Sequence, residues 1–191
     1  MENEEGGKSI AGLLRAVLFV CFLGAIAYAL YFFGTEKDHM QKTVEAIEHI
    51  NEKMRENFSG SGIYPSADVI KTYHITPKNM QVADAQEYFW RHYFGGNMLI
   101  TGVFDKHDKF AVPEYNVILN NLSRRHCIML ASYDWRGNEN FLGLQAYGFG
   151  ILAMGSSASI LSRTKLITEE EAKKACSCEY GSYCSIILVY K

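Results

Sequence analysis

The chain has 191 residues, 48% of them apolar and 21% charged, with three prolines and a formal net charge of −2. That is too rich in aliphatic and aromatic side chains for an intrinsically disordered chain, and the length suits one domain, or a small domain plus an accessory segment. Nineteen Lys plus Arg against 21 Asp plus Glu leave no basic excess, so electrostatically driven nucleic-acid binding is not expected.

Residues 16–33, AVLFVCFLGAIAYALYFF, carry neither a charge nor a proline. As a helix the run covers about 27 Å, close to the hydrocarbon thickness of a bilayer. Ile10, Ala11, Leu13 and Leu14 extend it, and Arg15 can snorkel to the interface. A buried core helix of this length would show a polar stripe, and a cleaved secretory signal would start basic and end in a small-x-small site. Here Glu2, Glu4 and Glu5 open the chain and Leu30-Tyr31-Phe32-Phe33 close the run, so the segment is expected to persist as a membrane anchor. Lys8 and Arg15 before it balance Lys37 and Lys42 after it, which leaves the orientation open. The cysteines are more informative. Cys21 lies inside the run, whereas Cys127, Cys176, Cys178 and Cys184 lie beyond it. An even set of this kind reads as two disulfides in an oxidising compartment, which places the C-terminal part outside the cytoplasm.

From Thr35 to Phe58, Met40, Val44, Ile47, Ile50, Met54 and Phe58 recur at helical spacing, with charged residues on the remaining faces. A helix from Ser9 to Phe58 is therefore predicted, about 75 Å long, its second half packed on the chain's own domain rather than in a coiled-coil stalk. Ser59-Gly60-Ser61-Gly62 and then Pro65 stop it. Beyond lie a short helix around Ser66–Ile70, a turn at Thr76-Pro77, a strand at Asn97–Val103 after Gly95-Gly96, and a strand at Lys109–Val112. A helix ending near Cys127 is expected within Glu114–Leu130, another from Thr168 through Ala175 behind a capping-box start, and a terminal strand over Ser185–Tyr190.

This order of elements resembles the type IV pilins and pseudopilins, and more narrowly the type IVb-like pilins of Gram-negative bacteria. Gly7-Lys8-Ser9-Ile10-Ala11-Gly12-Leu13-Leu14 fits the family's start, a leader ending in Gly followed by Arg or Lys, Ser and an apolar helix. Gly95-Gly96 is similar to its glycine-glycine element. Cys127–Ala131 with Asp134-Trp135 is similar to its cysteine helix, and Thr168–Cys176 to its final helix before the last strand. The resemblance spans most of the chain. It implies an α+β fold, with a long N-terminal helix packed on a small antiparallel sheet in a disulfide-bearing head. It divides the chain into a leader-like segment 1–7, a transmembrane and assembly helix 8–34, its amphipathic continuation 35–58 and an extracytoplasmic head 59–191. It implies cleavage between Gly7 and Lys8 by a prepilin peptidase, and assembly with other pilin or pseudopilin subunits by inner-membrane machinery. One position departs from the pattern: the family's Glu at the fifth mature position, which neutralises a neighbour's terminal amine, falls on Gly12.

Four cysteines allow three pairings. Cys127–Cys176 with Cys178–Cys184 is favoured, and Cys127–Cys178 with Cys176–Cys184 competes with it. Several enzyme-like features have plainer readings. Gly148–Ala153 matches G-x-G-x-x-A without an opening βαβ unit, so a strand-bending glycine pair is the better account. His126-Cys127 reads as a disulfide cysteine rather than a thiol nucleophile. Cys176-x-Cys178 is spaced too closely for an ordinary Cys₄ zinc site. His39, His49, His74, His92, His107 and His126 are scattered, and the aromatic run Tyr88–Trp90 with Tyr93-Phe94 reads as core packing. No catalytic residue, metal or cofactor is expected. The chain reads as a non-enzymatic, membrane-anchored fibre or pseudopilus subunit. The alternatives are a single-pass protein with an extracytoplasmic binding domain that never polymerises, and a membrane-tethered thiol enzyme.

Overall fold

A computed structural model describes residues 4–59, 64, 72–80, 89–103, 114–147, 159–162, 166–178 and 183–191, and of 4–11, 103, 147 and 159–162 the backbone alone. The chain divides into two compact units, Met1–His39 and Met40–Lys191. Helix α1 spans Glu4–Phe58. It is uninterrupted because no proline falls within it.

In the second unit, the helical stripe read from the sequence is the face that packs. Val44, Ile47, Ile50, Met54 and Phe58 are buried and Met40 is half-buried, in one core with Met98, Ile100, Val117, Leu119, Leu144, Ile186 and Leu188. Each fully buried Leu, Ile or Met contributes about 1.5–3 kcal/mol relative to exposure, so this face stabilises the helix far more than its intrinsic propensity does.

The sheet has six antiparallel strands, β1 (Trp90–Arg91), β2 (Asn97–Val103), β3 (Glu114–Leu122), β4 (Phe141–Tyr147), β5 (Ser159–Ser162) and β6 (Cys184–Tyr190), in the order β1-β2-β3-β6-β4-β5. Two short helices flank β3 and β6: α2 (Arg124–Ala131) and α3 (Glu169–Ala175). Thr168 and Glu171 close a reciprocal capping box on α3, as the sequence predicts.

One element differs from expectation. Glu114–Leu122 is a strand, and the helix begins only after Ser123, whose hydroxyl accepts from His126 N–H, and runs on past Cys127 to Ala131. The physical reason is a period of two in the first half: Tyr115, Val117 and Leu119 face the core in alternation, and Tyr115 pairs with Tyr190 across the ladder. Between Leu119 and Leu122 the register shifts, and Asn121 takes a positive φ of 60° at the bulge. The segments expected at Ser66–Ile70 and Lys109–Val112 lie outside the described residues, as do Tyr88, His107 and Gly148–Ala153.

Candidate functional site

The N-terminal part of α1 presents an apolar surface whose one charged residue between 13 and 33 is Arg15. Leu13, Leu14, Val17, Leu18, Phe19, Val20, Phe22, Leu23, Ile26, Tyr28, Leu30, Tyr31 and Phe33 are all exposed. Soluble monomers rarely leave so large a contiguous patch in water. By length and composition this helix can cross a membrane. Thr35 fits the same surroundings, since its hydroxyl donates to Phe32 O at 2.9 Å within the helix. Cys21 is the free cysteine and is exposed on this segment. Gly7 and Lys8 lie in the helical backbone of α1. A Cβ built at Gly12 meets nothing within 4 Å, so the position has room for a carboxylate side chain.

In the second unit, all four remaining cysteines are consumed in disulfides. Cys127 of α2 joins Cys176 at the end of α3, with Cα atoms 5.9 Å apart, and Cys178 joins Cys184 at the start of β6, with Cα atoms 5.5 Å apart. The first closes 49 residues of sequence and the second six. Chain entropy assigns them about 4 and about 2 kcal/mol. Cys127 is therefore not a free nucleophile, and the pairing leaves no Cys₄ set of thiolates for zinc. Arg124 reinforces the α2–α3 contact: its Nε donates to Cys176 O at 3.2 Å and its Nη2 to Lys173 O at 3.4 Å.

Gly95 and Gly96 occupy the turn between β1 and β2, where His92 N donates to Gly96 O and Gly95 N to His92 O. Gly95 has φ +86°, the left-handed region that glycine enters without strain. Gly96 is required for a different reason: a Cβ there would collide with the backbone oxygen of Asn120 and with the His92 ring. His92 Nε2–H donates to that same oxygen at 2.9 Å, and Nδ1 is buried with no hydrogen-bond partner. Burial pushes the His92 pKa down, the Asn120 bond partly opposes it, and the electrostatic effect of nearby His126 adds a smaller lowering. Phe94 lies between the two imidazoles, stacked on His126 at 4.2 Å and edge-on to His92 at 6.1 Å.

A second polar contact is buried between the helix and the sheet. The Tyr115 hydroxyl donates to Asn51 Oδ1 inside an aromatic cluster formed with Tyr64 and Tyr190, and burial raises the phenol pKa values of Tyr115 and Tyr190. At the surface, Arg136 donates through Nε and Nη2 to both carboxylate oxygens of Asp134 and holds that carboxyl at about 2. Sequence reasoning passed over His92, Asn51 and Tyr115 because each acquires its role from a partner 28 or 64 residues away. Among the described residues no group of three or more His, Cys, Asp or Glu is placed to hold a metal ion.

No protein-family profile and no curated protein matches the sequence. The fold does match solved structures. A type IV pilin, TcpA, from Vibrio cholerae El Tor biotype superposes over 81% of this chain and 99% of its own, with a TM-score of 0.54 at 14% sequence identity. The chain therefore has the pilin fold: a long N-terminal apolar helix, a small antiparallel sheet and a disulfide-bonded head.

Proposed function

We propose that this chain, which carries the pilin fold, is a structural subunit of a type IV pilus or type II secretion pseudopilus and assembles through α1. The observation that carries the reading is the uncovered apolar surface of residues 13–33 on a chain whose head is pilin-like. Such a surface needs either lipid or the same segment of neighbouring subunits around it, and a filament core exchanges one for the other. The subunit sits in a bacterial inner membrane with its head outside the cytoplasm. A prepilin peptidase cuts after Gly7 and leaves Lys8 at the mature terminus. The disulfides fit an oxidising compartment. The partners are other pilin or pseudopilin subunits and the inner-membrane assembly machinery, and no catalytic step is involved.

Gly12 favours a minor rather than a major subunit. At the fifth mature position it brings no carboxylate to a neighbour's buried amine, and an unpaired charge in the filament core is costly. The same residue gives a second reading some support, a single-pass protein with an extracytoplasmic binding domain that never polymerises. Mass spectrometry of the mature chain from cells with an active prepilin peptidase tests both. A mass lacking residues 1–7, in chain recovered from sheared fibres or a cross-linked pseudopilus, supports the subunit. A chain that begins at Met1 and stays in the membrane supports the alternative.

A further inference from the structure

The surface of the second unit carries a groove of about 650 Å³ between α2 and α3. Half-buried Ile128 and Met129 provide its apolar part, and Arg124, Arg125 and Lys173 line it with a single carboxylate, Glu169, which is ion-paired to Lys173 at 2.6 Å and leaves the charge of the two arginines in excess. Its two walls are fixed to one another by the Cys127–Cys176 disulfide and by the bonds from Arg124 to the last carbonyls of α3. A cationic groove with covalently tied walls is preorganised, so little ordering cost is left for association.

The complementary surface lies on the same unit. Glu45, Glu48 and Glu52 are exposed on α1, and their spacings of three and four place them on one helical face. Gln41 donates to Glu45 at 2.8 Å, but none of the three forms an ion pair among the described residues, whereas the adjacent Glu56 is neutralised by Lys53 at 2.6 Å. Like charges three and four residues apart on a helix repel, and here the relief is limited to the Gln41 bond to Glu45 and the attraction of Glu52 to Lys53, which is itself bonded to Glu56.

We infer that the α2–α3 groove is a docking surface for a second copy of this chain and receives the Glu45, Glu48 and Glu52 face of the neighbour's α1. The inference rests on the fibre-subunit reading and names a contact within that assembly. The two surfaces are different, so the contact is heterologous and each copy offers one of each. Repeated from subunit to subunit, a heterologous contact builds an open helical array rather than a closed dimer. Opposite charge sets the register, and the apolar floor at Ile128 and Met129 receives the methylene stems of the glutamates.

Zero-length carbodiimide coupling of assembled fibres, made from mixed light and heavy isotope-labelled full-length chains, tests the contact. The Lys173–Glu169 pair, 2.6 Å apart within one chain, is the internal positive control. The expected result is a mixed-isotope peptide joining Lys173 to Glu48 or Glu52. In parallel, Arg125→Glu alone and Glu48→Lys with Glu52→Lys should each lower fibre yield about tenfold, and the combined variant should recover it. Disulfide-intact, normally folded head in every variant keeps the comparison interpretable. Fibres that form normally, with only the intrachain Lys173–Glu169 product and no effect of charge reversal, overturn the docking surface and leave the subunit reading standing. Processed wild-type chain that enters no fibre overturns both.

Discussion

His92 Nε2 donates to the backbone oxygen of Asn120 at 2.9 Å, across the same point where Gly96 leaves no room for a Cβ. The β1–β2 turn is thus fastened to the bulge of β3 by one neutral imidazole. Protonation would add an N–H at Nδ1, which is buried and has no acceptor.

Acid sensitivity follows from that geometry. In the unfolded chain His92 takes up its proton near about pH 6.5, and in the folded head burial holds its pKa lower. Between those values the unfolded state binds more protons, so stability rises with pH. The contribution of His92 is complete above about pH 6.5 and is lost as the pH falls toward the folded value. Urea midpoints of the oxidised protein should drop from pH 8 to pH 5, and His92→Gln should flatten that drop. An unchanged slope in the variant would remove His92 as its source.

Gly95 and Gly96 should respond differently to substitution. Gly95→Ala strains only a positive φ and is expected to cost about 1 kcal/mol, a conformational penalty. Gly96→Ala meets the Asn120 oxygen and the His92 ring and is expected to cost more than about 2 kcal/mol. Equal losses for the two in thermal unfolding would contradict the close approach at Gly96.

These two glycines mark the boundary of what is legible in the chain alone. The stripe from Met40 to Phe58, the capping box at Thr168 and Glu171, and the strand over Ser185–Tyr190 are local patterns, and the structure contains each of them. Gly95-Gly96 could be seen as a break before a strand, but the reason for Gly96 could not, because Asn120 reaches it only through folding. Glu114–Leu122 was legible too, as alternation at Tyr115, Val117 and Leu119. The adjoining Ile118 and the helical residues after Ser123 blur that alternation, so the sequence alone predicts for the segment only that it contains a helix ending near Cys127.

Asn51 and Tyr115 supply a test of helix-to-sheet attachment. Asn51→Ala strands the Tyr115 hydroxyl in the core and should destabilise by about 1–3 kcal/mol. Adding Tyr115→Phe removes the stranded group, so the double variant should lose less than the two single losses combined. Strict additivity in chemical denaturation would mean the two side chains are uncoupled.

Removal of the two disulfides should differ in cost. Cys127→Ser with Cys176→Ser is expected to lose about 4 kcal/mol, and Cys178→Ser with Cys184→Ser about 2 kcal/mol. Electron-transfer fragmentation of the non-reduced peptide that spans Cys176 and Cys178 assigns the partners directly. A Cys127–Cys178 product would replace the pairing described above with the crossed one.

At Gly12 the open surroundings allow a carboxylate without steric conflict. If the chain is cut after Gly7, as proposed, and position 12 then limits assembly, Gly12→Glu should raise the proportion of processed chain found in fibres, by about tenfold for each 1.4 kcal/mol of docking gained. Unchanged incorporation of fully processed protein would show that this position is not limiting.

The position of β6 has a consequence for how the head is made. Although it follows every other strand in sequence, it lies between β3 and β4 and is hydrogen-bonded to both. Before it emerges during translation, β1-β2-β3 and β4-β5 are two separate ribbons, and neither has its inner edge covered. The sheet therefore closes only after the segment carrying Cys184 has been made, and the Cys178–Cys184 bond cannot form earlier. Such an order leaves the head open until its last strand is present, and it makes the arrival of that late strand the event that commits the chain to its folded form.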